Sequence, residues 1–168
     1  MEWKRVKLML IVLFLIINIF LIYMLYNKNI KSYVDTMNAI ETVFNANNVT
    51  LMSNTSNISK NKKMSKLLIS SNNELKDNLL ITIEEAENYE HIGRKKRIVD
   101  ITVVLANFIR DVMPKDLIIK NISLGYFFNS NQVNETVVSG EAEPCWIIET
   151  NTQKYIYNAY TGEIIIYN

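Results

Sequence analysis

Residues 8–26 are LMLIVLFLIINIFLIYMLY, and this stretch decides the architecture of the chain. Eighteen of its 19 residues are apolar, and Asn18 is the exception. A helix of this length rises by about 28 Å, close to the ~30 Å hydrocarbon core of a bilayer. Because lipid offers no hydrogen bonds to free backbone groups, we expect this segment to cross a membrane as a helix.

The flanking residues predict how this segment is oriented and whether it is retained. The apolar run exceeds the 7–15 residues typical of a cleaved signal peptide, and no small-x-small cleavage site follows it. We therefore predict an uncleaved signal anchor. Three basic residues precede the run and two follow it closely, and the whole remaining chain lies after it. These features predict a single-pass protein of the cell membrane with a cytoplasmic N-terminus and residues 27–168 outside.

One face of the predicted spanning helix is a possible contact surface for another transmembrane helix. In lipid the Asn18 amide needs a hydrogen-bond partner, and a bond to a second helix contributes about 0.6–2 kcal/mol. The alternative is that Asn18 bonds back to its own helix in a simple anchor. The predicted interaction face consists of Ile11, Phe14, Leu15, Asn18, Leu21, Ile22 and Leu25. Trp3, Tyr23 and Tyr26 occupy the positions of interfacial aromatic anchors.

The first half of the outer chain predicts helix, loop and hairpin. Apolar residues at helical spacing predict a helix over 30–46, and a short strand follows over 49–52. Residues 53–66 are polar and predict a loop. The runs KLLIS (66–70) and NLLITIE (78–84) predict the two strands of a hairpin.

The second half predicts one helix and a sheet. A 3-4-3 apolar stripe predicts a helix over 94–113, which Pro114 ends. The apolar periodicity then changes to two, which is typical of strands. The predicted strands are 118–128, 145–150, 154–159 and 163–167. Because short turns join the last three, we expect an antiparallel meander with the helix packed on one face, an α+β fold.

The predicted organisation therefore has five parts. They are a cytoplasmic stub (1–7), a transmembrane signal anchor (8–26), a membrane-proximal helix and short strand (27–52), a polar loop (53–66) and an extracytoplasmic α+β domain (67–168).

Composition and motifs argue against several functions. A formal net charge of +1 over 168 residues argues against nucleic-acid binding. One cysteine and one histidine exclude a disulfide scaffold and most zinc sites. We expect His91 in a charged connector without a nucleophile beside it, and Glu141 and Glu143 in a solvated loop. Cys145 is interpreted as a packed thiol, with an intermolecular disulfide as the alternative. The sequence thus predicts no enzyme, cofactor, metal site or small-molecule substrate.

Both ends of the chain resemble the YycI family. The start, MEWKRVKLMLIVLFLIINIFLIYML, is similar to the family's opening acidic residue, Trp, basic pair and single anchor. Towards the other end, IIKNISLGYFF, EPCWIIET and YIYNAYTGEII are similar to its later strands and final hairpin. The resemblance covers residues 1–27 and 94–168, whereas 30–93 match poorly and the chain is shorter than usual. It would be a shortened variant with a YycI/PepSY-like fold.

The resemblance implies a regulatory role. YycI proteins act with YycH on the sensor histidine kinase of a two-component system that controls cell-wall metabolism in Gram-positive bacteria. By this resemblance, the partners are a YycH-like protein and the kinase, and the contacts are transmembrane and extracytoplasmic. Only Trp3, Asn18 and the apolar residues around it carry over. The alternative is a PepSY-like extracytoplasmic module that binds or inhibits a peptidase, or senses wall fragments, through its outer domain.

Overall fold

The computed structural model describes residues 3–52, 62–69, 79–129 and 139–167. The chain divides into two compact units, Met1–Glu41 and Thr42–Asn168. One long apolar N-terminal helix and a mixed β-sheet with a second helix make the fold α+β. The predicted fold class is confirmed at this level.

The first helix, α1, runs without interruption over Trp3–Ala46 and contains 44 residues. The predicted anchor and membrane-proximal helices are thus one continuous element, and neither glycine nor proline occurs in this range. The helix ends in a Schellman motif, in which Asn48 adopts a left-handed φ of 55°. The Val49 N–H donates to the Phe44 carbonyl at 2.8 Å, and the Asn48 N–H to that of Asn45 at 3.3 Å.

Eight strands form one sheet in the described residues. They are β1 (Thr50–Leu51), β2 (Lys63–Ile69), β3 (Leu79–Thr82), β4 (Glu90–Arg97), β5 (Ile118–Phe128), β6 (Gly140–Thr150), β7 (Lys154–Asn158) and β8 (Ile164–Tyr167). The order is β1-β5-β6-β2-β4, with β3 also paired to β5, β7 to β6, and β8 to β7. The antiparallel succession β5-β6-β7-β8 confirms the predicted meander.

The sheet is mixed and not purely antiparallel, which corrects the expectation. Strand β1 pairs in parallel with β5, with Thr50 opposite Ile118. The sequence pattern of a two-residue strand carries no information on its partner. Its place follows from the end of α1, after which the Thr50 N–H donates to the Leu117 carbonyl at 2.9 Å.

The predicted hairpin of 66–70 and 78–84 is wrong. Strand β2 pairs with β4 and β6, and β3 pairs with β5, so the two runs are not neighbours in the sheet. The run SNNELKD between them lies outside the described residues, as do residues 53–61 of the predicted polar loop. The last residues of that loop, from Lys63 onwards, belong to β2. Two apolar runs in sequence suggest a hairpin, but here each is buried against a distant strand.

The second helix, α2, covers Ile101–Val112 and is shorter than predicted. It begins at Asp100, whose side chain accepts from the Thr102 N–H at 3.1 Å and caps the first turn. It ends at Met113, which has a left-handed φ of 48° just before Pro114. Residues 94–97, assigned to this helix from its apolar stripe, are all charged and form the end of β4.

Strand β6 changes its partner along one edge at Pro144. Residues before it pair with β2, and those after it with β7. Tyr160, in the turn after β7, donates from Oη to the Met64 carbonyl of β2 at 3.0 Å. The Pro144 carbonyl accepts from the Ala159 N–H at 2.9 Å. In an antiparallel sheet, the N–H and C=O of one residue point to the same edge of the strand. The N–H that proline lacks would therefore point to the place where β2 gives way to β7, so its absence removes no hydrogen bond between strands.

Helix α2 covers one face of the sheet with aromatic residues. The Phe108 ring lies 5.1 Å from that of Tyr155 and 6.5 Å from that of Phe44, both edge-on. The buried Trp146 indole donates from Nε1 to the Val99 carbonyl at 3.2 Å. These contacts bury large apolar areas and satisfy the indole N–H, so they constitute the main core.

The opposite face of the sheet is also apolar and buried. Phe127, Cys145, Ile147 and Ile156 form a cluster there, with Leu80 and Ile165 packed against it. A sheet with only one buried face was expected. The continuous apolar runs in β5 and β6, such as YFF and CWII, are typical of strands buried on both sides.

We expect the Cys145 thiol to be unreactive in the folded protein. It is fully buried, and burial raises its pKa to about 12, which lowers the thiolate fraction about a thousandfold. Maleimide labelling at mildly alkaline pH should therefore be negligible until denaturant is added. Lys115→Cys adds an exposed thiol as a matched control and should label at once. Rapid labelling of Cys145 itself, or a reducible covalent dimer, would contradict the buried placement.

Candidate functional site

Two features of the described residues can contact partners, and the first is the apolar part of α1. By length and composition this helix can cross a membrane, and none of its most apolar 18-residue window is buried. Exposed apolar side chains surround this segment on every side, from Leu8 to Tyr26. A helix that is apolar all round and unburied is suited to lipid, because it has no polar face to turn towards water.

Asn18 interrupts this surface and is already bonded within its own helix. Its Nδ2 donates to the Phe14 carbonyl at 2.8 Å. This is the arrangement of the simple-anchor alternative. The bond uses one of two amide hydrogens, and the Oδ1 atom accepts no hydrogen bond within the described part of the chain. Asn18 therefore retains the capacity to bond to a second helix, and its role stays a prediction.

The other predicted contact residues of α1 are all exposed. Those of the interaction face are Ile11, Phe14, Leu15, Leu21, Ile22 and Leu25, and the interfacial aromatic residues are Trp3, Tyr23 and Tyr26. Lys7 Nζ lies 5.3 Å from the Trp3 ring centroid, a cation–π distance. This pairing places a charge and an amphipathic ring together, as at a membrane–water interface.

The paired carboxylates Glu141 and Glu143 lie in β6, not in the solvated loop expected. Both bind Lys66 Nζ, at 2.9 Å and 2.8 Å, and Asn158 Nδ2 donates to Glu143 Oε2 at 2.9 Å. Hydrogen bonds first to Glu143 and then to Glu141 raise the pKa of Lys66 above its usual range. The cluster joins β2, β6 and β7 and holds its carboxylates in ion pairs. Its geometry suits a structural clamp better than acid–base catalysis.

The second feature is a cleft of about 240 Å³ beside β2, β4 and β5. Its polar lining includes Ser65 and His91, whose Oγ and Nδ1 atoms share a 3.0 Å hydrogen bond. The His91 ring also lies edge-on to Tyr126, with centroids 6.1 Å apart. Burial is the main cause that raises the pKa of the Tyr126 hydroxyl above its ordinary value. Under ordinary conditions this hydroxyl is therefore a neutral hydrogen-bond donor.

The contact between His91 and Ser65 corrects the expectation that the histidine lies in a connector without a hydroxyl beside it. It belongs to β4, which the sequence analysis did not predict. A serine hydrolase needs an accessible hydroxyl and a third group that orients the imidazole. Ser65 is only 3% exposed, and no carboxylate of the described residues hydrogen-bonds to His91. The pair can bind a polar ligand, but it lacks the parts of a catalytic triad.

Three lysines, Lys62, Lys63 and Lys95, are among the residues that line this cleft. We call the six residues Lys62, Lys63, Arg94, Lys95, Lys96 and Arg97 the basic edge. No carboxylate of the described residues lies within ion-pair distance of any of them. Lys96 Nζ instead lies 5.7 Å from the Tyr160 ring centroid. The run RKKR at residues 94–97 is the sequence signal for this surface, but these residues were assigned to the predicted helix over 94–113.

A metal site has no ligand set in the part of the chain that the structure describes. No three His, Cys, Asp or Glu side chains there lie in an arrangement that could hold an ion. Glu85, from the acidic run 84–90, instead forms a capping box with Thr82 at the start of a 3-10 helix over Glu85–Asn88. Hydrogen bonds from Thr82, the backbone N–H first, lower the pKa of the Glu85 carboxyl.

Comparison with models of known protein families, with curated proteins and with solved structures found no match. The function of this protein is therefore inferred from two features of its described residues. One is a helix suited to lipid, and the other is a folded domain with a basic cleft. Both features are suited to binding.

Proposed function

We propose that this protein is a membrane-anchored, non-catalytic regulator whose folded domain lies outside the cytoplasm. The observation that carries the proposal is the exposed apolar segment of α1, which leads in one unbroken helix into the α+β domain. A single span attached to a small domain whose described residues form no catalytic constellation is suited to regulating a neighbouring membrane protein. The resemblance to YycI proteins supports a sensor histidine kinase as the target and a YycH-like protein as co-partner.

The proposed mechanism is lateral association in the membrane. The face around Asn18 would pack against helices of the kinase or of the YycH-like protein, and Asn18 would fix the register. A coupling of about 1–3 kcal/mol is enough to change the population of an active kinase state about 5- to 150-fold. Because α1 has neither glycine nor alanine, serine or threonine between Val6 and Tyr26, the contact cannot be a close small-residue crossing.

Replacing Leu8–Tyr26 by an unrelated spanning helix of equal length tests this mechanism. We expect the protein to stay in the membrane, while co-purification with the kinase and control of kinase output are lost. The flanking residues Trp3 and Lys7 are kept, so that insertion is unchanged. Normal co-purification and normal kinase output in the exchanged protein would refute lateral association and would favour binding through the outer domain.

Asn18→Leu is the finer test of the same face. Loss of one interhelical hydrogen bond of about 0.6–2 kcal/mol should weaken co-purification about 3- to 30-fold. Asn18→Gln, which keeps the amide, should retain most of the binding. If Asn18→Leu binds the kinase normally, the intrahelical bond to Phe14 is the whole role of this residue. Genes for a sensor kinase, a response regulator and a YycH-like protein beside the coding sequence are expected independently.

A further inference from the structure

The basic edge carries more uncompensated charge than the fold itself explains. Strand register places Lys63 directly opposite Arg97, and like charges opposite each other destabilise a sheet. Lys66, the next lysine of β2, is different because two carboxylates neutralise it. A local arrangement that opposes folding is most economically explained by a ligand that neutralises it.

Protection of a sheet edge accounts for part of this surface only. β4 is the last strand of the sheet order, and charged side chains on such a strand prevent pairing with another chain. That reason applies to residues 94–97. It does not apply to Lys62, which precedes β2 and whose carbonyl accepts from the Ile98 N–H at 3.1 Å.

The cleft adds directional donors to this charge. Three lysines of the basic edge, Lys62, Lys63 and Lys95, contribute to its lining together with Ser65, His91 and Tyr126. Glu87 is the one carboxylate among the described lining residues, and Met64, Ile83 and Ala86 supply apolar surface. Ser65 and Tyr126 are each only 3% exposed, so the accessible donors of the cleft are the lysine ammonium groups and the exposed His91 imidazole. Both kinds of group bind phosphate oxygens.

A bulge in β4 creates this arrangement. Between Met64 and Lys66 the register advances by two residues on β2, whereas β4 advances by four, from Lys96 to Ile92. Gly93 lies in this excess and has a φ of 73°, which few other residues adopt without strain. The two additional residues of β4 allow Lys95 to line the cleft.

We propose that the cleft and the basic edge bind the phosphate-bearing head groups of anionic phospholipids. The proposal rests on the membrane anchoring proposed above, since α1 then tethers the domain to a bilayer and keeps the head groups at high local concentration. Six Lys and Arg side chains make a surface of the size that recognises anionic membranes. The concavity, with the exposed His91 imidazole in its lining, favours a head group over a flat acidic protein surface.

The test uses the full-length protein in nanodiscs of two compositions, phosphatidylcholine alone or with about one third phosphatidylglycerol. Lysine acylation followed by mass spectrometry reports the exposure of each lysine. We expect Lys62, Lys63, Lys95 and Lys96 to be protected in the anionic discs. The protection should weaken between about 50 mM and about 500 mM NaCl, while Lys115 and Lys120 react equally in both discs.

Two variants of equal charge loss make the test specific. Lys63→Gln/Lys95→Gln should weaken docking about 30-fold, because each lost charge contributes a factor of about five. The acylation of Lys62 and Lys96, which remain in this variant, measures the docking. Lys115→Gln/Lys120→Gln, on exposed positions elsewhere, should leave their protection unchanged. Matching circular dichroism and thermal unfolding show that both variants are folded, and the salt series on the unaltered protein tests the proposal without any substitution.

Three results would overturn the proposal. Equal acylation of the basic edge in neutral and anionic discs excludes head-group binding. If inorganic phosphate protects these lysines in neutral discs and the anionic discs alone do not protect them, the cleft binds a free phosphate compound and not a lipid head group. If both double variants lose protection equally, the net charge of the protein causes the effect and the cleft is not a specific site. Failure of the protein to enter either disc is a separate result, which refutes the anchor and therefore the proposed function.

Discussion

Trp146→Ala is expected to lower the free energy of unfolding by about 3–5 kcal/mol, the largest effect of any single substitution considered. The indole is 1% exposed and lies under α2 on the main core face. Its removal leaves a cavity between helix and sheet that neighbouring rings cannot fill. It also leaves the Val99 carbonyl without the indole N–H, which lies 3.2 Å away. Small domains have only about 5–15 kcal/mol in total, so much of the protein would unfold at physiological temperature.

Urea unfolding of the full-length protein in detergent micelles, followed by the β-sheet signal in circular dichroism, measures this effect. Trp146→Phe serves as the control, because it keeps a ring in the core and removes the hydrogen bond and part of the volume. We expect the phenylalanine variant to lose clearly less stability than the alanine variant. A Trp146→Ala protein within about 1 kcal/mol of the unaltered chain would show that this face of the sheet is not the core.

Gly125→Ala is expected to destabilise the protein by about 1–3 kcal/mol through overpacking. A Cβ atom at this position would lie 2.7 Å from the Ile81 carbonyl oxygen and 2.9 Å from Ile147 Cδ1. The Ile147 side chain can move, but the carbonyl belongs to β3, which pairs with β5 on this side. The strands must therefore separate locally, and the cost is greater than for a clash between two flexible side chains.

Two further variants separate this cause from a general intolerance of alanine. Gly93→Ala adds a Cβ atom that meets nothing within 4 Å, although the backbone φ of 73° is strained for alanine and costs about 1–2 kcal/mol. Ile147→Val removes the Cδ1 atom, so the double variant with Gly125→Ala should lose less stability than the two single changes added together. Strict additivity would show that Ile147 does not contact the new methyl group, and that the Ile81 carbonyl causes the whole effect.

The sequence predicts those parts of the fold that local pattern controls. The apolar run of α1, the end of α2 before Pro114 and the meander over the last four strands all follow from periodicity and turn residues. Gly162, in the turn before β8, has a positive φ of 76°, which glycine adopts without strain. In each case the residues that determine the element are adjacent in the chain.

The strands in the middle of the chain could not be predicted in this way. β2 and β3 were assigned to each other because they are neighbours in sequence, but their partners in the sheet are β4, β5 and β6. β4 has a single partly buried residue, Ile92, so it lacks the alternation that marks a strand. Only its place at the end of the sheet explains why a charged segment is extended there.

The candidate site likewise has one part that the sequence predicts and one part that it does not. A helix apolar enough to cross a membrane is evident from composition alone, and its contact residues stay predictions until a partner helix is identified. The basic cleft depends on three segments, from β2, β4 and β5, that only the tertiary structure brings together. No spacing rule connects Ser65 to His91, which are 26 residues apart and share a hydrogen bond.

The long-range pairing of β2 with β6 also determines when the domain can fold during synthesis. Leu67 has Ala142 as its partner in β6, 75 residues later in the chain. At roughly 5–20 residues per second, β2 emerges about 4–15 s before this strand is made. Throughout that interval the early strands have unsatisfied edges, and the anchor would already hold them at the membrane. A nascent chain of this kind depends on chaperones or on the translocation machinery, and slower elongation through residues 70–140 would increase its tendency to aggregate.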